Sequence, residues 1–327
     1  MRGGVAEDYT YIVARLRAVE AALPEKAWFE RLSRTGEENL LGSLREHFRA
    51  FEGVGELLDF ERALAEERSA ALDLVSSLLP GERPRLLVRA GHDFDNVRHA
   101  WKASKLGREA TALTSFGLVP AATVAETFAG KLRGALPPHL EALVEELDAS
   151  YEASRSLAAA EYAGEAAKWR FLFSVAPGER AAEYLRVKID LANVQSFVRL
   201  RLEPVRGEAL SSVWIAGGEI APDRYEGLFA EPLDEFFAYL ATTSYRSLPA
   251  AGLAKDAPLW RVDALLRGAV LDLLGASRYR HFDISPVLYH VELRERNEEV
   301  LRRIITGKLN RMNEEMLLER VEALLAA

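Results

Sequence analysis

The sequence predicts an all-α protein built from three similar helical domains. Leu, Ala, Glu and Arg dominate its 327 residues, and these residue types favour helices. Strand-like alternation is suggested only by one fragment, SSVWIAGG at 211–218. One stretch of the chain is also written twice, 97 residues apart, and a weaker third copy follows.

The first half of the chain is divided into helices by Gly and Pro. Helical spacing of apolar residues predicts helices at 6–22, 37–50, 57–78, 83–106 and 121–133. The breaker LPGERP at 79–84 separates the third of these helices from the fourth.

The second half follows the same rule. Its predicted helices cover 139–173, 179–202, 222–241, 259–278, 285–306 and 313–325. Breakers that contain Pro or Gly lie between them, namely LPP at 136–138, APGE at 176–179, AGGEIAP at 216–222 and RSLPAAGLAKDAP at 246–258.

The repeated stretch is a helix with one apolar face. PGERPRLLVRAGHDFDNV at 80–97 returns as PGERAAEYLRVKIDLANV at 177–194. Apolar residues recur in both copies at alternating spacings of three and four, which is one face of an α-helix. We therefore expect Phe94 and its counterpart Leu191 to be buried.

Three polar residues accompany this apolar face in each copy. They are Arg89, Asp93 and Asn96 in the first copy, and Arg186, Asp190 and Asn193 in the second. Each precedes an apolar-face residue by one, so it lies about 100° around the helix. We expect partly exposed edge positions, with an Arg–Asp pair at i,i+4 in each copy and an Asn that bonds an adjacent helix.

The third copy is degenerate. Aligning Asn96-Val97-Arg98 with Val300-Leu301-Arg302 puts Val in place of Asn, and Asn297 in place of Asp. Arg302 retains the basic position. The predicted domains are therefore 1–107, 108–206 and, as the degenerate copy, 207–327.

Composition and charge exclude several classes of protein. The net charge is −8 and no basic stripe is present, which disfavours a nucleic-acid-binding protein. The chain has no Cys, so disulfides and thiolate chemistry are excluded. The first 20 residues lack the apolar core of a signal peptide, and no apolar stretch is long enough to span a bilayer.

Candidate catalytic and ligand-binding motifs are weak. Asp93 and Asp95 point about 200° apart on a helix, so they do not form a metal-binding pair. His92 and His99 share a face but lack an evident third ligand. The TGK at 306–308 lacks the remaining residues of a phosphate-binding loop. We therefore predict no catalytic residue, no metal and no cofactor.

Two groups of residues are candidates for contact with a partner protein. The charge-rich stretch RNEEVLRRIITGKLNR at 296–311 supplies Arg302, Arg303 and Lys308; the alternative is a solvated helix face with intrahelical pairs. Trp214, close to a Gly-Gly pair, is either a docking residue or an anchor that fixes its loop in the core.

The order of several motifs resembles one family. The motifs are DYTYIVARLRAVEAAL at 8–23, DFDNVRHAWKASKLG at 93–107, DLANVQSFVRLR at 190–201, WIAGGEIAP at 214–222 and YHVELRERNEEVLRRIITGK at 289–308. Together they resemble the C subunit of V/A-type (vacuolar/archaeal-type) ATPases, the counterpart of the d subunit in eukaryotic vacuolar enzymes. The resemblance covers nearly the whole chain.

This resemblance implies a funnel-like body of three domains without an active site of its own. The expected function is a central-stalk connector that joins the rotor shaft to the membrane proteolipid ring for ATP-coupled proton or sodium transport. The chain would be a monomer when isolated and peripheral on the cytoplasmic face of the membrane. The alternatives are a helical-repeat scaffold unrelated to the ATPase and, with less support, an all-α enzyme.

Overall fold

The structure is a computed structural model that describes residues 9–111, 113–202 and 213–326. Within these ranges all regular elements are helical and no β-strand is found, so the predicted all-α class is confirmed. In chain order, the α-helices are α1 Thr10–Glu20, α2 Lys26–Arg34, α3 Glu37–Arg45, α4 Phe60–Leu78, α5 Glu82–Lys105, α6 Ala121–Phe128, α7 Pro138–Ser154, α8 Leu157–Val175, α9 Glu179–Leu202, α10 Pro222–Phe229, α11 Leu233–Leu240, α12 Ser247–Ala250, α13 Leu259–Gly275, α14 Ser285–Leu309 and α15 Glu314–Leu325.

The chain forms two compact units. The first unit combines the described residues up to Leu78 with those from Leu228 onward. The second unit is continuous and spans Leu79–Gly227.

The core of the first unit draws on both ends of the chain. Phe29 of α2, Leu40 of α3 and Leu64 of α4 share one buried cluster with Ile304 of α14 and Leu317 of α15. All five side chains are almost completely shielded from solvent. The apolar face of α4 is therefore covered by helices that lie more than 200 residues later in the chain.

The core of the second unit surrounds the apolar face of α5. Phe94 and Trp101 pack in one cluster with residues of α6, α7 and α8. Gly164 of α8 permits a close approach, because a Cβ at that position would lie 2.8 Å from Leu147 Cδ2 and 3.1 Å from Arg98 Cδ. A small residue is thus required where α8 meets its neighbours.

Two predicted helices are each divided in two. The helix expected at 139–173 is interrupted at Arg155, whose φ of 55° is left-handed, and Ser156 then caps α8 by accepting a hydrogen bond from the Ala159 amide. The helix expected at 222–241 ends at Phe229, and α11 starts after Pro232.

Smaller differences concern helix ends. The short helix α2 was not predicted, and the helices expected at 37–50 and 121–133 end at Arg45 and Phe128. Residues 6–8 of the first predicted helix lie outside the described residues. The described part of the fragment at 211–218, from Val213 on, forms turns and bends and no strand.

Two pairs of helices recur at the predicted spacing. Helix α4 begins at 60 and ends at 78 and α8 at 157 and 175, while α5 spans 82 to 105 and α9 179 to 202, so each bound shifts by 97. The bounds of α6 and α10 are 101 apart. The third copy, the division into three domains and the funnel-like body remain predictions.

Candidate functional site

The first copy of the repeat holds a loop against α5 through two buried side chains. Asp93 accepts hydrogen bonds from the amides of Leu118 and Val119, each at 2.9 Å. Asn96 donates to the Thr114 carbonyl at 2.8 Å and accepts from the Thr114 amide at 2.9 Å. We refer to Asp93, Asn96 and the loop 114–119 as the first loop anchor.

Arg89 extends the first loop anchor by one turn of α5. Its Nε donates to the Phe116 carbonyl at 2.8 Å and its Nη2 to the Ser115 carbonyl at 3.3 Å. The guanidinium also carries its charge close to the Asp93 carboxylate. One helix edge thus satisfies both amides and carbonyls of a loop, as buried backbone requires.

The second copy forms the same arrangement on α9. Asp190 accepts from the amides of Glu219 at 2.7 Å and Ile220 at 3.2 Å. Asn193 donates to the Ile215 carbonyl at 2.8 Å and accepts from the Ile215 amide at 2.9 Å. These two side chains with the loop 215–220 are the second loop anchor.

A glycine makes each loop anchor possible. A Cβ at Gly117 would overlap the Asp93 carboxylate, and a Cβ at Gly218 would overlap that of Asp190. The carboxylate occupies the space that a side chain would take, so the loop backbone can approach the helix edge.

The expectation of partly exposed edges is wrong for five of the six repeat residues. Arg89, Asp93, Asn96, Asp190 and Asn193 are all buried, since the loops cross over the helix edge and cover them. Arg186 differs, because its side chain is 37% exposed and pairs with Glu179 at 2.8 Å. The expected burial of Phe94 and Leu191 is confirmed.

Burial and hydrogen bonding act in opposite directions on Asp93. Burial disfavours the ionised carboxylate and raises the pKa of Asp93 above its ordinary value of 3.8. The Leu118 and Val119 amides and the charge of Arg89 oppose this rise. The amides therefore offset part of the cost of a buried acid.

The degenerate third copy has no comparable loop to hold. Only residues 310–313 join α14 to α15, whereas 15 residues, 106–120, separate α5 from α6. Val300 occupies the aligned Asn position and is completely buried, and Asn297 is 5% exposed. The loss of the Asn thus coincides with the shortening of the segment that it would hold.

Trp214 is a core residue of the second unit. It is 6% exposed and stacks on Tyr225 with 5.3 Å between ring centroids. Tyr225 in turn directs its hydroxyl towards Asp190 at 3.5 Å. This position favours the loop-anchor interpretation of Trp214 over the docking interpretation.

The basic residues of α14 lie among acidic side chains. Arg302 pairs with Glu61 at 2.9 Å and with Glu298 at 2.8 Å, and Arg303 pairs with Glu299 at 2.7 Å. Burial lowers the pKa of Arg302, but its hydrogen bonds to Glu61 and Glu298 outweigh that effect and raise it. Lys308 is half-buried in the last turn of α14.

The loops that complete the anchors were not predicted. Sequence reasoning singled out the Asp and the Asn of each copy but assigned the Asn to an adjacent helix. The available signal was a glycine after each helix, at 117 and 218, with a Pro-started helix beyond it. Spacing alone does not reveal which backbone amides a side chain will reach.

The structure shows no site for chemistry in the residues it describes. No group of three His, Cys, Asp or Glu side chains is placed to hold a metal ion there. Within those same residues, none of the helices is long and apolar enough to cross a membrane.

A family model matches the chain over residues 12–320, and its description is ATP synthase (C/AC39) subunit. The chain belongs to this family. The match covers both loop anchors and nearly all of α14 and α15. It confirms the resemblance to the C subunit of V/A-type ATPases and to its vacuolar counterpart, the d subunit. Members of the family are structural subunits of the ATPase complex. No curated protein matches the chain.

Proposed function

We propose that the chain is the non-catalytic central-stalk connector of a rotary V/A-type ATPase. It joins the rotor shaft to the membrane proteolipid ring and transmits torque for ATP-coupled proton or sodium transport. The observation that carries the proposal is the family match over 12–320, which includes every helix from α2 to α14. It favours the connector over an unrelated scaffold and over an all-α enzyme.

The loop anchors suit a part that must keep its shape under load. In each anchor, a carboxylate and an amide side chain fix one loop by four backbone hydrogen bonds between 2.7 and 3.2 Å. Bonds to charged acceptors are stronger than neutral ones, and buried bonds are protected from water. These loops are therefore held more firmly than loops tied only by their ends.

We assign partner contact to the basic residues of α14, namely Arg302, Arg303 and Lys308. Arg302 and Arg303 already pair within the chain, so their charges are held in place by acidic neighbours. Contacts of this polar kind weaken as salt is raised, because exposed charges are screened beyond about 8–10 Å. The connector would lie on the cytoplasmic face and be a monomer when isolated.

The test is reconstitution of membranes from which this protein has been removed. Wild-type chain is added back, and both ATP hydrolysis and ATP-driven ion uptake are measured. We expect ion uptake to depend on the added chain. If uptake is the same with and without it, the connector proposal is wrong.

A charge reversal tests the assigned partner contact. Lys308→Glu should reduce retention of the chain on the depleted membranes, and the reduction should grow with salt. Lys131→Glu is the matched control, since Lys131 is an exposed lysine of the second unit. Equal retention of the two variants would remove Lys308 from the contact while leaving the connector role to the uptake experiment.

A further inference from the structure

The connection between α13 and α14 presents an exposed run of aromatic and basic residues. It reads RYRHF at 278–282, and we call it the aromatic–basic loop. Phe282 is 77% exposed and Tyr279 is 61% exposed. Arg280 and His281 are exposed as well, and Arg278 is half-buried.

The aromatic–basic loop is held in place at both ends. Ser277 before it and Ile284 after it are buried, and the Arg280 amide donates to the Ser277 carbonyl at 2.9 Å. The His281 carbonyl accepts from the Tyr9 amide at 3.1 Å, which ties the loop to the start of α1. The exposed side chains thus project from a fixed backbone.

Cations also position the Tyr279 ring. The Arg278 guanidinium lies 4.7 Å from the ring centroid and that of Arg17 lies 5.6 Å from it. Such contacts orient an aromatic ring while leaving its edge in solvent. Tyr11, on the same helix as Arg17, adds a further ring that is 71% exposed.

The local charge is opposite to that of the whole chain. The chain has a net charge of −8, whereas residues 278–282 contain two Arg, one His and no acid. The acid that follows, Asp283, accepts a hydrogen bond from the Ser285 amide at 2.8 Å at the start of α14. The loop therefore presents positive charge together with apolar rings.

We propose that the aromatic–basic loop binds an anionic lipid surface. Aromatic side chains partition to the headgroup region of a bilayer, and Arg is attracted by anionic headgroups. A lipid surface accepts a projecting Phe beside Arg without a shaped pocket, so it fits this convex loop. The proposal concerns lipid rather than a protein of the ATPase, and it does not rest on the proposed function.

The test is sedimentation of the full-length chain with lipid vesicles. Vesicles of phosphatidylcholine with phosphatidylglycerol are compared with vesicles of phosphatidylcholine alone. We expect binding to the anionic vesicles only, weakened by added salt. Arg280→Ser should reduce the partition coefficient about fivefold. Phe282→Ser should reduce it about tenfold, because the buried ring area is lost.

Leu58→Ser is the matched control. Leu58 is 71% exposed, but its neighbours Glu56 and Asp59 are acidic, so it offers apolar exposure with the wrong charge. Its partition should equal that of wild type, and circular dichroism of all three variants should show unchanged helicity. Failure of wild type to bind anionic vesicles, or an equal loss in Leu58→Ser, would overturn the proposal. A loop that fails to bind lipid yet cross-links to an acidic protein would overturn it too.

Discussion

Asp190 is completely buried, yet it carries a carboxylate. It is stable there because the Glu219 and Ile220 amides donate to it and the Tyr225 hydroxyl lies within 3.5 Å. The amides in turn depend on Asp190, since a buried amide without an acceptor is costly. Each loop anchor is therefore a mutual arrangement in which neither partner can be removed cheaply.

Replacing Asp190 tests this dependence. Asp190→Asn cannot accept from both amides, because one side of the new side chain is an NH₂ donor. We expect the free energy of unfolding to fall by about 1–3 kcal/mol in urea melts. Asp223→Asn, on the exposed side of α10, is the control and should change it by less than about 0.5 kcal/mol. Equal effects would mean that the loop is not held by the carboxylate.

Two glycines on either side of the first loop anchor should respond in opposite directions. Gly117→Ala places a methyl group where the Asp93 carboxylate lies, so we expect a loss of about 1–3 kcal/mol. Gly91→Ala lies inside α5 with open space around it, so we expect a gain of about 0.5–1 kcal/mol from helix propensity. Thermal melts that rank the two variants the other way would refute the described packing.

The apolar face and the polar edge differed in how well sequence predicted them. Phe94 and Leu191 are buried as expected, because spacings of three and four specify a face by geometry alone. The edge residues were misjudged because a loop 20 or more residues later covers them. Sequence spacing locates a residue on its own helix but does not show what crosses over it.

At the scale of elements, α5 and α7 are linked by one acidic side chain. Asp148 of α7 accepts from Trp101 Nε1 at 2.9 Å and pairs with Lys105 at 2.7 Å. Burial alone would raise the pKa of Asp148, but the bonds from Lys105 and Trp101 outweigh it and lower the pKa below 3.8. The ionised form is thus favoured in the folded chain.

The sign of this shift gives a pH prediction. Since the folded pKa is lowered, Asp148 contributes stability above its unfolded value of 3.8, and this contribution is lost as pH falls through the folded pKa. Asp148→Asn keeps an acceptor for Trp101 but removes the charge. In urea melts at several pH values, we expect a difference from wild type of under about 1 kcal/mol, constant above pH 5 and shrinking below 3.8. A difference that grows on acidification would contradict the assignment.

Helix ends were predictable where the sequence contains a breaker. Helices α5 and α9 match their predicted bounds closely, since Pro80-Gly81 and Pro177-Gly178 precede them. The break between α7 and α8 was missed because ASYEASRSLAAA at 149–160 has no Pro or Gly to interrupt it. Arg155 adopts a positive φ there only because the two helices pack against each other, which is a tertiary effect.

At the scale of the whole molecule, the division into two units could not be foreseen. A repeat indicates equivalent segments, but it does not show that the two ends of the chain share one core. The pairing of α4 with α14 rests on contacts between residues that are over 200 positions apart. The predicted boundaries at 107 and 206 fall inside the second unit, Leu79–Gly227.

The continuous unit should fold by itself. A fragment of residues 79–227 contains its whole core, so we expect a helical spectrum and a cooperative thermal transition. Asp190→Asn should lower its midpoint as in the full chain. Residues 1–78 alone lack the partners on α14 and α15, so this fragment should melt without a cooperative transition. A non-cooperative 79–227 fragment would show that the two units are interdependent.

The discontinuous first unit also fixes the order of events on the ribosome. Helices α2, α3 and α4 leave the exit tunnel early, but Val300, Ile304 and Leu317 are among the last residues to be made. At about 5–20 residues per second, the nascent chain keeps those early apolar faces uncovered for about ten seconds or more. The second unit is complete well before that, so it can finish folding while the first still waits for its end. Synthesis that stops short of α14 thus leaves a folded middle with an uncovered beginning, which makes such truncated chains prone to aggregate and to be degraded.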